Sequence, residues 1–261
     1  LDGGRGLVEA ILATIAVGWF AYSLESLGQS TADALQKVIY LYVGFAVAMS
    51  FIVLFAIGDV NKEPSKQRET NPGGSLWADM KFLLGNEKLW LAAFCILCGY
   101  QLFWATYSFS GYLQKNYGLT AVAVGSITVA KLWMRPVGAI AAGFLGDRYN
   151  LEKILAILML AGTISLALLI ALPLSASATM LLAVVLLVGV LTYAIRGIYW
   201  ATLDSCNIPV RIKGLAIGVI SLVGYAPDIY LPLINGPILE RFPGKTGYNI
   251  YFALIVCMGL L

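Results

Sequence analysis

Apolar and polar positions along the chain fall in long blocks rather than in the short periods of a soluble domain. Runs long enough to cross a hydrocarbon core, which takes about 20 residues of helix, lie at about 7–27, 37–58, 89–112, 120–142, 153–173, 179–202, 214–236 and 247–261. The pattern predicts an all-α chain of about eight spans joined mostly by short turns. One connection is long, from Gly58 to Lys88, and its centre, Asn61 to Ser75, is charged and rich in Pro and Gly. It reads as a linker between two bundles. Its second half, Leu76 to Leu84, places Trp, Met, Phe and Leu at helical spacing against Asp79 and Lys81. That pattern fits a helix lying in the membrane interface, or a helical extension of the next span. The expected division is 1–58 for two helices closing a first bundle, 59–88 for the linker, and 89–261 for a six-helix bundle.

Composition turns this pattern into a membrane protein. Of 261 residues, 60% are hydrophobic and 12% charged, with mean hydropathy +0.84, whereas globular domains carry about 25% charged residues. A soluble domain is excluded. Connections on one side carry ten basic residues (Arg5, Lys62, Lys66, Arg68, Lys81, Lys88, Arg148, Lys153, Arg211, Lys213) and those on the other side four (Lys37, Lys115, Arg241, Lys245). By the positive-inside rule the ten-residue side is cytoplasmic and the first span runs outward. The net charge of +3 therefore reports topology, and no nucleic-acid partner is expected. The chain begins with Leu1, its first apolar run starts by Leu7 and its last runs to Leu261, so it reads as a piece of a longer protein. No processed targeting segment is visible in the first run.

There is no histidine, which removes the usual proton shuttle, the commonest metal ligand and the base of most nucleophile triads. Cys95 and Cys98 form a CxxC inside an apolar run without a second pair at metal-ligand spacing, and Cys206 and Cys257 are isolated. No Walker motif is present. The sequence points away from an enzyme, and neither a cofactor nor a metal is expected.

Between the fourth and fifth spans, on the cytoplasmic side, the chain reads Gly143-Phe144-Leu145-Gly146-Asp147-Arg148-Tyr149-Asn150-Leu151-Glu152-Lys153. This resembles the signature loop of the major facilitator superfamily, G-x-x-x-D-R/K-x-G-x-R/K-R/K. Gly143, Asp147, Arg148 and Lys153 match; Asn150 stands in place of Gly, and Glu152 in place of a base. Asn is expected to substitute because it also visits the left-handed conformation of a tight turn. The resemblance implies a major facilitator fold. The long linker followed by two spans and then the motif implies spans five to twelve of twelve, with the motif as a cytoplasmic gate. A looser resemblance, to bacterial organic-anion and sugar-phosphate carriers, runs through Arg196-Gly197-Ile198-Tyr199-Trp200-Ala201 and Gly224-Tyr225-Ala226-Pro227-Asp228. Those sugar-phosphate carriers often place an Arg in the seventh span, where Gly99 to Trp104 has none.

Charges inside spans cost roughly 2.5–3.5 kcal/mol on insertion scales and face a cavity or a partner. Lys131 and Arg135, four residues apart, share one helix face and form the first candidate anion site, with snorkelling or pairing of Arg135 with Asp147 as its alternative role. Arg196 is followed by Tyr199 and Trp200, which could stack on a planar or sugar substrate; pairing with Asp204 is its alternative. Asp228 follows Pro227 and precedes Pro232 and Pro237, which are expected to break the helix near mid-membrane. It is the candidate proton carrier, or else a charge partner for Lys131 or Arg196. Tyr100, Gln101, Trp104, Tyr107 and Ser108 form a polar and aromatic stripe suited to a cavity wall.

The expected protein is thus a multi-pass transporter of the bacterial inner membrane, working as a monomer by alternating access. Its solute would be a small organic anion, such as a sugar acid or an organophosphate, moved with protons. A uniporter or antiporter of a neutral solute and a transporter-like sensor remain open.

Overall fold

The computed structural model describes residues 2–56 and 76–260; the centre of the expected linker lies outside them. Among the described residues every regular element is helical. The chain runs through α1 (Asp2–Glu25), α2 (Thr31–Ala56), α3 (Leu76–Leu84), α4 (Glu87–Ala105), α5 (Phe109–Tyr117), α6 (Ala121–Arg148), α7 (Leu151–Ala171), α8 (Ala178–Ile198), α9 (Lys213–Gly224), α10 (Pro227–Arg241) and α11 (Lys245–Gly259). Each expected span coincides with one of these or with a broken pair. Among the described residues six stretches are long and apolar enough to cross a membrane: Gly4–Glu25, Thr31–Phe55, Glu87–Tyr117, Leu151–Ala171, Ala178–Cys206 and Val210–Arg241. Of the other two expected spans, α6 has its apolar run diluted by Lys131 and Arg135, and α11 has 15 residues.

Loops that the charge pattern assigns to one side meet at one end of the bundle. There Asn86 Nδ2 donates to the Cys206 carbonyl at 3.2 Å, Ser205 Oγ donates to Glu152 at 2.7 Å, and Arg211 forks onto Asp79 at 2.6 and 2.8 Å. At the other end Tyr112 donates to the Leu169 carbonyl at 3.2 Å, and Lys245 donates to the Leu172 carbonyl. The rings of Tyr117, Tyr248 and Phe252 pack around Tyr112 with centroids 5.4–5.5 Å away.

α3 is a helix of its own. Asn86 is extended and its side chain accepts from Leu89 N–H, capping α4, so the chain restarts rather than continuing. Leu83 is buried while Leu76 and Trp77 stand exposed.

Helices in lipid gain little from hydrophobic association and close up instead over small residues. The α6–α8 seam shows this. A Cβ on Gly138 would come 2.5 Å from the Val190 carbonyl, and one on Gly197 would come 3.0 Å from Ala139 Cα. α6 also meets α1, where Trp133 Nε1 donates to Thr14 Oγ1 at 3.0 Å.

Two spans are interrupted. Between α4 and α5, Thr106–Ser108 tightens into a 3-10 turn. Between α9 and α10 the helix breaks at Tyr225 and Ala226, and Pro227 begins α10. Proline is pre-organised for a first helical turn. Pro232 and Pro237 were expected to break this span too, but both lie inside the continuous helix α10.

Candidate functional site

α6 and α8 form the floor of a cavity of about 280 Å³, with α1 on one side and the broken span α4–α5 on the other. Lys131 and Arg135, one helical turn apart, both line it, and α8 adds Tyr193 and Arg196. Phe103, Thr106 and Tyr107 come from the end of α4 and the break; Arg5 and Glu9 come from the first turns of α1.

Lys131 is buried, and its stem lies in a notch at Gly189, where a Cβ would come 2.8 Å from Lys131 Cγ. Its Nζ donates to the Thr106 carbonyl at 3.4 Å and sits 5.9 Å from the Phe109 ring centroid. That carbonyl also accepts from Phe109 N–H. Arg135 is buried too; it pairs with Glu9 and lies 5.8 Å from the Tyr193 ring. Gly6 makes this possible, since a Cβ there would come 2.6 Å from Arg135 Cδ. Glu9 also accepts from Arg5 Nε at 3.0 Å. The Arg196 guanidinium lies 4.3 Å over the Phe103 ring and 5.6 Å from that of Tyr100, a contact that holds a cation without neutralising it. Four cations and one carboxylate line the cavity among the described residues.

Asp228, in the first turn of α10, accepts from Tyr100 OH at 2.9 Å and from Trp104 Nε1. A carboxylate suits this helix N-terminus. Tyr100 therefore stands between Asp228 and Arg196.

Several expected partnerships differ. Arg135 pairs with Glu9 from another helix rather than with Asp147. Asp204 pairs with Lys213 at 2.6 Å rather than with Arg196. Asp228 is held by neutral donors rather than by Lys131 or Arg196. Tyr199 is buried in the core against Gly99, and Trp200 donates from Nε1 to Tyr225 OH at 3.1 Å, so neither ring lies in the cavity. Gln101 lines a different cavity of about 710 Å³, with Cys98, Met159, Tyr230 and Met258. Its amide is buried and has no hydrogen-bond partner among the described residues. Successive helix residues are about 100° apart, which turns Gln101 and Ser108 away from Tyr100, Trp104 and Tyr107. Ser108 accepts from Asn235 Nδ2 at 3.4 Å.

Residues 7–232 match the family model of the Major Facilitator Superfamily. The chain belongs to this superfamily. It is similar to the inner membrane protein YihN of Escherichia coli (strain K12), 27% identical over 260 residues that take in 98% of this chain and 61% of the relative. Inner membrane protein YqcE of the same strain is 25% identical over 269 residues, 100% of this chain and 62% of the relative. An uncharacterized protein of Mycoplasma pneumoniae is 34% identical over 79 residues, covering 25% of this chain and 35% of that protein. The chain thus spans about three fifths of the length of the two Escherichia coli relatives. It is a multi-pass inner membrane protein, and its superfamily is one of membrane transporters.

The superfamily signature loop closes α6 and opens α7. Asp147 and Arg148 are exposed, and among the described residues no ion pair includes Asp147. Asn150 does not take the left-handed conformation. Its φ is −63° and its side chain accepts from Lys153 N–H at 2.9 Å, so Asn serves here as the N-cap of α7. Glu152, the reversed charge, accepts from Ser205 across the cytoplasmic end. Gly143 has open space around it.

Sequence reasoning passed over Glu9, Phe103 and Tyr193. Glu9 carried a usable signal, an Arg four residues earlier on the same face; the two rings look like ordinary core until their cations are placed beside them.

Proposed function

We propose that the protein is a secondary transporter of small organic anions, sugar acids or organophosphates among them, that works by alternating access and couples anion movement to protons. The observation that carries this reading is the charge of the cavity: among the described residues Arg5, Lys131, Arg135 and Arg196 line it with one carboxylate, Glu9. Cations inside a membrane face a cavity or a partner, and guanidinium groups beside an ammonium are suited to carboxylate or phosphate. A volume of about 280 Å³ lies just below the usual range of ligand pockets and suits a small solute. Phe103 and Tyr107 supply apolar faces for its carbon skeleton.

The cavity lies where α1 meets the remaining helices, and transporters of this kind bind at such repeat interfaces near mid-membrane. The signature loop at Gly143, Asp147, Arg148 and Lys153 would gate the cytoplasmic side. Tyr100 and Trp104 do not line the cavity; Tyr100 packs on Phe103, which does, and both donate to Asp228, the carboxylate that the sequence offers for proton coupling.

The test is solute-dependent proton flux by the full-length protein in liposomes, with gluconate, glucose 6-phosphate and neutral glucose as solutes, and with Lys131→Ala and Asp228→Asn beside the parent. Anion-driven flux lost in Lys131→Ala supports the reading. Glucose flux that survives Lys131→Ala overturns the anion site, and binding without flux turns the protein into a sensor.

A further inference from the structure

Glu9 is the one carboxylate among the described residues lining the cavity, and it is held from two sides, by Arg5 on its own helix and by Arg135 across the α1–α6 seam. The contact it makes with Arg135, a carboxylate oxygen on a guanidinium, is the contact an organic acid or a phosphate would make. The two partners are unequally fixed. The Arg135 side chain is 3% exposed and the Glu9 side chain 38%, so the cation is the more deeply set of the two.

We infer that Glu9 is an internal competitor for the anion site: the solute displaces it from Arg135, and Glu9 holds a proton for as long as the solute stays. This rests on the anion reading above. Two carboxylates on one guanidinium repel each other unless one of them is neutral. When the solute arrives, the Glu9–Arg135 ion pair breaks, a solute–Arg135 pair forms, and a hydronium ion of the adjoining water gives its proton to the Glu9 carboxylate, which keeps only its exposed contact with Arg5. When the solute leaves, Glu9 gives up that proton and returns to Arg135. For a monoanion the charge of the cavity is the same before and after, which ties one proton to each solute bound.

Asp228 does not offer this exchange. Its partners Tyr100 and Trp104 are neutral donors, so an anion arriving at Arg135 leaves its pairing unchanged. The groups facing Glu9 are Arg5 on α1, Lys131 and Arg135 on α6, Tyr107 at the break, and Tyr193 and Arg196 on α8. The charged residues of α2, which also packs on α1, are Asp33 and Lys37, at its opposite end.

The experiment measures gluconate and glucose 6-phosphate binding to the purified full-length protein, parent against Glu9→Gln, with proton uptake in liposomes alongside. Removing the competitor is expected to tighten anion binding roughly 10-fold while abolishing solute-driven proton uptake. In the parent, labelling of Glu9 by a hydrophobic carbodiimide, read by mass spectrometry, is expected to rise with gluconate and not with glucose. Anion binding that is unchanged or weaker in Glu9→Gln, or labelling indifferent to gluconate, overturns the inference while leaving the anion reading standing. A parent that binds glucose but neither anion overturns both. Should Glu9→Gln fail to fold, the labelling of the parent decides alone.

Discussion

Replacing Gly138 by Ala tests whether the α6–α8 seam is what sets the cations at their spacing. A Cβ at this position would stand 2.5 Å from the Val190 carbonyl and 3.0 Å from Ala194 N, and both of those atoms are backbone. No side-chain rotation relieves the contact, so the two helices must part by about 1 Å to restore ordinary van der Waals distance. Overpacking of this kind costs up to about 3 kcal/mol, offset by about 1 kcal/mol from replacing Gly with Ala inside a helix, which leaves a net loss of about 2 kcal/mol. Gly143, five residues on in the same helix, has nothing within 4 Å, so Gly143→Ala keeps only the gain. In a thermal unfolding assay of the purified protein Gly138→Ala should lower Tm by about 4–8 °C, and Gly143→Ala should raise it by about 2–4 °C. Because Arg196 rides on α8 and Lys131 and Arg135 on α6, Gly138→Ala should also weaken gluconate binding. Equal Tm shifts for the two substitutions would refute the close-approach argument.

Lys131→Ala should weaken anion binding by about 30-fold or more, since truncating a buried, hydrogen-bonded ion partner costs about 2–5 kcal/mol; titration calorimetry against gluconate reads it, and an unchanged Kd would remove Lys131 from the site. Asn150→Ala should destabilise the protein by about 1 kcal/mol and Asn150→Gly by only a few tenths, because Asn150 caps α7; if Gly were instead stabilising, the turn would need the left-handed conformation after all. Asp79→Asn should lower Tm by only about 1–3 °C and less at high salt, because Arg211 is about half exposed; a larger, salt-independent drop would make the α3 latch a main support of the bundle.

Hydropathy and charge made most of the architecture legible. Spans are long apolar runs because a backbone in lipid must satisfy its own hydrogen bonds as helix, and sidedness followed from where Lys and Arg fall. The candidate site was legible as far as charge in a span demands a cavity, which marked Lys131, Arg135 and Arg196. Partnerships were less so, because they are made across helices. Glu9 is 126 residues from Arg135, and Asp204 found Lys213 in its own loop before Arg196 could be offered. Gln101 was misplaced because a stripe drawn over a wide arc of helix takes in two faces. The break at Thr106–Ser108 left no mark in the sequence, for Thr106, Tyr107 and Ser108 include neither Pro nor Gly.

That break is contacted from outside, by Lys131 on the Thr106 carbonyl and by Asn235 on Ser108. A 3-10 residue advances about 2.0 Å and turns about 120°, an α-helical one about 1.5 Å and 100°. If the three residues relaxed to α-helix, the span would shorten by about 1.5 Å and α5 would rotate by about 60° relative to α4. Phe109 and Tyr112, buried against Phe252, would sweep round with it. A change of partner at a single ammonium group is in this way geared to a screw motion of the outer end of the span.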